Sequence, residues 1–327
     1  MALTSHRHLD DAGPWLPVGQ HRFIVAAQAL VDLLMYVSTV PERGGSCIAT
    51  RTLTQVGGAF NVAAAAARLG MTTYYAGKVG SGPNGRLIQE RLASEGIGLF
   101  VPVADGQDSG FDVGLVEAGG ESRYVGAPGV EAEITPEDLA SIALEPGDII
   151  YLPGYDLAMG RASAAALGAW AGTLPPDVWC VFDPGPPAVD IPPPIATQVL
   201  RRTDILTLNW REGQLLTGES SPDAMATSLA TLISSRGAVI LRKGASGAWV
   251  WNGGAVSHVA EYPVTEVLDT TGAGDAHTGA LVAWLGRGAS LLAAARAANA
   301  AAALSIQAIG PATGPTEEVL QQRLDRG

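Results

Sequence analysis

Short apolar runs and longer stretches with helical spacing alternate along most of this chain. Residues 72–79 read as a strand and 86–95 as a helix stopped by Gly96. Thr135, Pro136 and Asp138 make a helix start: a capping hydroxyl, proline at the first helical position, and an acid three residues after the cap. A strand at 148–152, a helix at 158–171 and a strand at 178–182 follow, then a strand at 204–208, a helix at 222–235 and a strand at 238–241. Strand and helix in regular turn predict an α/β fold, one doubly wound, mostly parallel sheet flanked by helices. Two segments break the rhythm. Residues 46–56 and 111–124 alternate apolar with polar positions, the second turning at Ala118-Gly119-Gly120, and both predict antiparallel strands with one solvated face. Together they predict a small antiparallel β-lid growing out of the main domain. Residues 249–259 predict a further hairpin around Asn252-Gly253-Gly254. Residues 23–40 are apolar enough to suggest a membrane span, but Gln28 and Asp32 interrupt them, and a buried strand running into a loop explains them better.

Composition narrows the classes of function. With 327 residues, 47% of them hydrophobic, the chain can build a sizeable core without disulfides. Acidic residues outnumber basic ones 32 to 20, giving a formal charge of -12. Such a body repels nucleic acid and anionic membrane, and no basic patch offsets it, so neither is an expected partner. The alanine-rich stretch near the C-terminus is interrupted by Arg287 and Arg296, and residues 1–20 carry His6, Arg7, His8, Asp10 and Asp11 before any apolar run, unlike a secretory signal. A cytoplasmic protein is the expectation. Cys47 and Cys180 are expected as buried free thiols, and the five histidines have no metal-binding spacing.

The chemistry concentrates in two stretches. Asp269-Thr270-Thr271-Gly272-Ala273-Gly274-Asp275 precedes a helical run over 276–285. A glycine-rich turn feeding a helix offers unpaired backbone N–H groups and the positive end of the helix dipole, which together attract an anion. Asp275 then has two readings. It complements the dipole, or it faces an attacking hydroxyl and accepts its proton while the amides face the phosphoryl group under attack. The second stretch is Gly57-Gly58-Ala59-Phe60-Asn61, leading through five alanines to Gly70. Its paired glycines allow close approach of a ligand, while Asn61 either caps the helix, the default, or points its amide at a ligand hydroxyl.

In order, spacing and residue type these two stretches resemble the paired motifs of the PfkB (ribokinase-like) carbohydrate kinases, the first running from Gly57 to Gly80 and the second from Asp269 to Val282. The resemblance spans residues 23–314 and takes in Asp32, Asn209-Trp210-Arg211-Glu212, Gly244-Ala245-Ser246-Gly247 and Asn299. It implies that Asp275 is the base deprotonating a primary hydroxyl as it attacks the γ-phosphoryl group of ATP. By the same resemblance Gly272, Ala273 and Gly274 form the anion hole, where each donor is typically worth ~3 kcal/mol. Asn209 and Glu212 would hold Mg²⁺, largely through water, with Gly244, Gly247 and Asn299 bordering the nucleotide. Asp32, Gly57, Gly58 and Asn61 would meet the sugar. Many members also bind a monovalent cation such as K⁺, for which Asp269, Thr271, Ser305 and Gly310 stand at the matching positions. A homodimer is implied as well, because lid sheets in relatives often pair between subunits.

The expected organisation is a kinase domain over 21–327, a lid at 33–57 and 108–127 inserted in it, and an N-terminal extension at 1–20. The expected activity is ATP-dependent phosphorylation of a primary hydroxyl on a sugar or sugar-like molecule. A nucleoside kinase of the same fold and a non-catalytic sugar-binding relative are the alternatives. His277 departs from the aromatic usual two positions after the base, and is expected to serve packing or an internal hydrogen bond. Arg123 is read either as a contact to an acidic substrate or as a solvated charge. Gly80-Ser81-Gly82-Pro83-Asn84-Gly85 fits a dinucleotide-binding pattern but does not open the fold, and Pro83 removes an amide.

Overall fold

Successive residues of a strand point to opposite faces of its sheet, so the runs that are apolar throughout need a cover on both sides. The computed structural model describes residues 13–117, 122–158 and 162–326. Its first strands are β1 (Arg22–Val25), β2 (Ala29–Val37), β3 (Arg51–Gly58), β4 (Thr72–Tyr75), β5 (Gly98–Leu99), β6 (Phe111–Glu117) and β7 (Ser122–Ala127). Then come β8 (Ile149–Pro153), β9 (Trp179–Asp183), β10 (Ile205–Asn209), β11 (Ala238–Arg242), β12 (Ala248–Asn252) and β13 (Ala255–Val259). The helices begin with α1 (Ala59–Arg68), α2 (Pro83–Ser94), α3 (Pro136–Ala140), α4 (Tyr155–Ala158), α5 (Ala162–Gly172) and α6 (Pro193–Arg202). They continue with α7 (Trp210–Thr217), α8 (Pro222–Ala230), α9 (Ala273–Gly286), α10 (Leu291–Ser305) and α11 (Glu317–Asp325).

Nine strands form the main sheet in the order β13-β12-β11-β10-β9-β8-β1-β4-β5, parallel except for β12 and β13 at one edge. On one face Phe23, Val25, Ile149, Val181 and Ile240 pack with residues of α1, α9 and α10. Their strand neighbours Ile24, Ile150, Phe182, Leu206 and Leu241 pack on the other face with α5 and α8. This is the doubly wound, mostly parallel architecture the pattern predicts. The chain winds outward from β1 in both directions, so the β1–β8 boundary is a topological switch point, and open α/β sheets bind ligands at the carboxyl ends of strands beside such a point. The remaining strands form a smaller sheet, β3-β2-β6-β7. Its outer pairs are antiparallel, while β2 and β6 run parallel in the middle.

Several local expectations need correction. The apolar stretch at 23–40 is two strands in two sheets, divided where Gln28 N–H donates to Asp156 and Ala29 N–H to the Tyr75 hydroxyl. The first lid strand starts at Arg51 rather than at residue 46, and Cys47 is exposed. The helix expected at 222–235 ends at Ala230. The turn at 118–120 lies outside the described residues, as do residues 1–12 of the N-terminal extension. The capping box at Thr135 and Asp138 forms as predicted but carries only the short α3. Among the described residues no helix is long and apolar enough to cross a membrane.

Close helix packing prepares the site. A Cβ on Gly279 in α9 would lie 2.6 Å from the Ala65 Cβ and 2.9 Å from the Val62 carbonyl oxygen in α1. The alanine run of α1 and this glycine therefore let the two helices approach closely, which carries the start of α1 to the start of α9.

Candidate active site

The turn ahead of α9 is built on Gly272, which caps the helix at φ 75°. A Cβ there would both strain that left-handed conformation and lie 1.8 Å from the Pro311 carbonyl oxygen. The turn separates two cavities. Thr271, Gly272 and Asp275 line the first, of about 460 Å³, together with Asp32, Gly58 and Asn61. Thr270, Ala273 and Gly274 line the second, of about 620 Å³, together with Asn209, Gly244, Gly247 and Asn299. The Ala273 amide donates to Thr270 O at 3.2 Å and the Ala276 amide to Gly272 O at 2.8 Å, while the amides of Gly274 and Asp275 have no acceptor of their own in the helix.

Asp275 is partly exposed in the first cavity. Its Oδ2 accepts a hydrogen bond from Asn61 Nδ2 at 3.2 Å. Burial, and then the negative charge of Asp183, push its pKa up to about 7, against the pull of Asn61 and of Arg242. A carboxylate in that range suits the uptake of a proton near neutrality. Asn61 is not the helix cap: α1 begins at Ala59 with Gly58 as its cap, and the amide is free to reach the carboxylate. Gly58 sits at φ 62°, where a Cβ would lie 2.6 Å from the Gln28 carbonyl oxygen. Gly57 lines neither cavity, but a Cβ on it would lie 2.0 Å from Asp32 Oδ2, so the glycine is what lets Asp32 lie across β3.

Behind the turn stands an ion pair. Arg242 Nη2 binds Asp183 Oδ2 at 2.9 Å, and Arg242 Nη1 donates to Gly274 O at 3.1 Å. At the second cavity Asn209 caps α7 in a capping box: its Oδ1 accepts the Glu212 amide at 2.9 Å, and Glu212 Oε2 accepts the Asn209 amide at 2.8 Å. Glu212 is buried, and burial followed by the charge of Asp183 raises its pKa. Asn299 donates to Val259 O at 3.1 Å and Ala260 O at 2.8 Å, which fixes the orientation of its amide. His277 is buried against the same cavity, where burial and Arg242 push its pKa down to about 3. It packs as expected, with the Asn299 side chain beside it opposing that shift.

The four positions matched to a monovalent cation also come together. Asp269 Oδ1 accepts the Thr271 amide at 2.9 Å and Oδ2 the Gly310 amide at 3.0 Å, while the Thr313 hydroxyl donates to both Ser305 O and Gly310 O. Arg123 is exposed and pairs with Glu117 at 3.4 Å. The dinucleotide-like loop is already served by protein: Asp108 accepts the amides of Asn84 and Gly85 at the start of α2, the groups a phosphate would need.

Sequence reasoning missed Asp112, Asp156, Asp183 and Arg242. Asp183 and Arg242, like Asn209, are each the last residue of an apolar strand. A polar residue ending an apolar run at the carboxyl edge of a parallel sheet was the available signal.

A phosphotransferase of the ribokinase fold is the class that this sheet and these paired cavities define. The model of the pfkB family carbohydrate kinases matches residues 23–318, and the chain belongs to that family. Members are ATP-dependent kinases, and this chain is an enzyme of that class. It is 31% identical over 310 residues to an uncharacterized sugar kinase, YegV, of Escherichia coli (strain K12), covering 94% of this chain and 95% of that one. Ribokinase of Bacillus subtilis (strain 168) is 28% identical, over 92% of this chain and 98% of its own. Among solved structures, ribokinase of Thermotoga maritima superposes with a TM-score of 0.78 at 23% identity, covering 94% of this chain and all of its own. Ribokinase of Arabidopsis thaliana, complexed with ribose and ATP, gives 0.74 at 24% identity, over 93% and 98%.

Proposed function

We propose that the protein transfers the γ-phosphoryl group of ATP to a primary hydroxyl of a sugar or sugar-like small molecule. The observation that carries this reading is the turn shared by the two cavities, with the Asp275 carboxyl group on one side and Ala273 and Gly274 on the other. The acceptor lies in the first cavity with its hydroxyl at Asp275, which takes the proton as the oxygen attacks. ATP lies in the second, between Gly244, Gly247 and Asn299, with its terminal phosphate at the amides of Gly272, Ala273 and Gly274. Phosphoryl transfer asks little covalent work of a protein beyond this alignment and the neutralisation of charge.

A polyanion entering an acidic protein needs cations. The residues for Mg²⁺ are Asn209 on the cavity wall and Glu212 behind it. Both Glu212 oxygens are engaged by Asn209, at 2.5 and 2.8 Å, so the set fits an ion held through water better than one ligated directly. Bound Mg²⁺ supplies neutralisation of phosphate charge. Asp269 with the backbone oxygens of Thr271, Ser305 and Gly310 fits a hard monovalent cation, whose positive field would support the same turn. The smaller sheet exposes Met35 and Val125, and this apolar surface supports pairing of the sheet between two subunits of a homodimer.

Tyr124, Tyr151 and Tyr155 line the acceptor cavity, and this aromatic content keeps a nucleoside acceptor as the second reading. The test is ATP consumption over free sugars, polyols and nucleosides, with identification of the phosphorylated product. We expect transfer to at least one of them and a fall of about a hundredfold or more in Asp275→Ala, from loss of the general base. Equal turnover in the variant would remove Asp275 from this role.

A further inference from the structure

We infer that Asp112, paired with Asp32, makes the acceptor cavity selective for an uncharged polyol, free or as the sugar of a nucleoside, and closes it to acceptors bearing a carboxylate or phosphate. The inference rests on the acceptor cavity assigned above and names its substrate class. Asp32 and Asp112 are register partners on the parallel strands β2 and β6, and both line the cavity. Each carboxylate lies against a glycine of the outer strand beside it. A Cβ on Gly57 of β3 would lie 2.0 Å from Asp32 Oδ2, and one on Gly126 of β7 would lie 2.7 Å from Asp112 Oδ1. The two glycines therefore make room for two like charges side by side, an arrangement that costs stability and needs a ligand to justify it.

The rest of the cavity repeats the same chemistry. Asp156, Asp183 and Asp275 also line it, and among the described lining residues there is no lysine, arginine or histidine. Two further oxygens in its wall, Asn61 Oδ1 and Asp156 Oδ2, are buried without a hydrogen-bond partner among the described residues. The charged groups of the wall are therefore all carboxyl groups, with the neutral side chains of Gln28, Tyr151 and Tyr155 beside them, and the complement of such a wall is an uncharged molecule rich in hydroxyl groups. An anionic ligand would bring further acceptors and a charge of the same sign. Burial and the charge of Asp112 push the pKa of Asp32 up to about 7, so near neutrality Asp32 is partly protonated. A pair of that kind both donates and accepts, as hydroxyl groups do, which favours a neutral polyol over an ammonium ion.

The test is calorimetric binding to the full chain without nucleotide. The probes are neutral pentoses, hexoses, alditols and nucleosides, each measured beside its carboxylate, phosphate and amino derivatives. We expect at least one neutral compound to bind, with its anionic derivatives weaker by about tenfold or more. The near-isosteric Asp112→Asn should narrow that gap by about tenfold, with a thermal midpoint no lower than the parent's and the same circular dichroism. Four results would overturn the inference: an anion binding as well as its neutral parent, an amine binding tenfold tighter, an unchanged gap in Asp112→Asn, or no neutral compound binding at millimolar concentration. Selective binding without any transfer from ATP supports the inference and counts against the kinase reading, whereas transfer to a sugar acid does the reverse.

Discussion

Asn61 Nδ2 donates a hydrogen bond to Asp275 Oδ2 at 3.2 Å across 214 positions of sequence. The contact joins the starts of α1 and α9, and it opposes the burial that holds the Asp275 pKa up at about 7. The general base must be ionised to work, so turnover should rise with pH through about 7. Removing the donor raises that pKa further. In Asn61→Leu we expect the acid limb of the kcat profile to move to higher pH, with activity at pH 7 lowered by about tenfold and partly regained at pH 9. A limb that stays in place would mean that Asn61 serves the acceptor alone.

Gly272 offers a test of the turn rather than of the base. Alanine at φ 75° pays the left-handed penalty, and its Cβ would lie 1.8 Å from the Pro311 carbonyl oxygen. The turn must shift to admit it, which moves the amides out of line with the phosphate. Gly272→Ala should lose at least ~1 kcal/mol of stability, read by urea denaturation, and its kcat should fall more than acceptor binding weakens. Unchanged kcat would separate this turn from catalysis.

The ion pair behind the turn predicts a third outcome. Arg242 and Asp183 are each nearly enclosed, with 13% and 11% of their side chains accessible. Arg242→Met leaves Asp183 buried beside Asp275 and Glu212 with no positive partner, and should cost about 3–5 kcal/mol in chemical denaturation. Adding Asp183→Leu removes the stranded charge and should restore part of that loss. A double variant no more stable than the single one would show that the arginine acts through packing instead.

How much of this was legible beforehand depends on the range of the information. The sheet and its helices were readable because apolar periodicity and helix caps are local, and the capping box at Thr135 formed as its residues dictate. The glycine turn was equally local. The partition of residues 23–40 between two sheets was not, since it depends on Asp156 and Tyr75, which reach Gln28 and Ala29 from elsewhere in the chain. The choice between cap and ligand contact at Asn61 was open for the same reason: the partner of its amide, Asp275, is on another helix. Asp112 drew no notice because alternation predicts which face a strand residue takes, not that an acid on the adjacent strand will share it.

Asp156 supplies the last prediction, with a sign opposite to the usual one for a carboxyl group. It is buried, its Oδ1 accepts the Gln28 amide at 2.9 Å, and burial pushes its pKa up to about 7 from 3.8. The folded protein therefore keeps a proton that the unfolded chain releases at lower pH, so this group makes folding less favourable as pH rises from about 4 to about 7. Asp32 and Asp275 act in the same direction, while Asp138 and Asp204, whose pKa values are lowered, act in the other. Comparing one variant with its parent isolates the term. Asparagine keeps the acceptor for Gln28 and replaces Oδ2, which has no partner among the described residues. Asp156→Asn should match the parent near pH 4 and exceed its stability by on the order of 2 kcal/mol at pH 8, measured by urea denaturation at both values. The same gain at both would assign the effect to packing, and a loss at pH 8 would mean that the ionised carboxylate is stabilised in the fold.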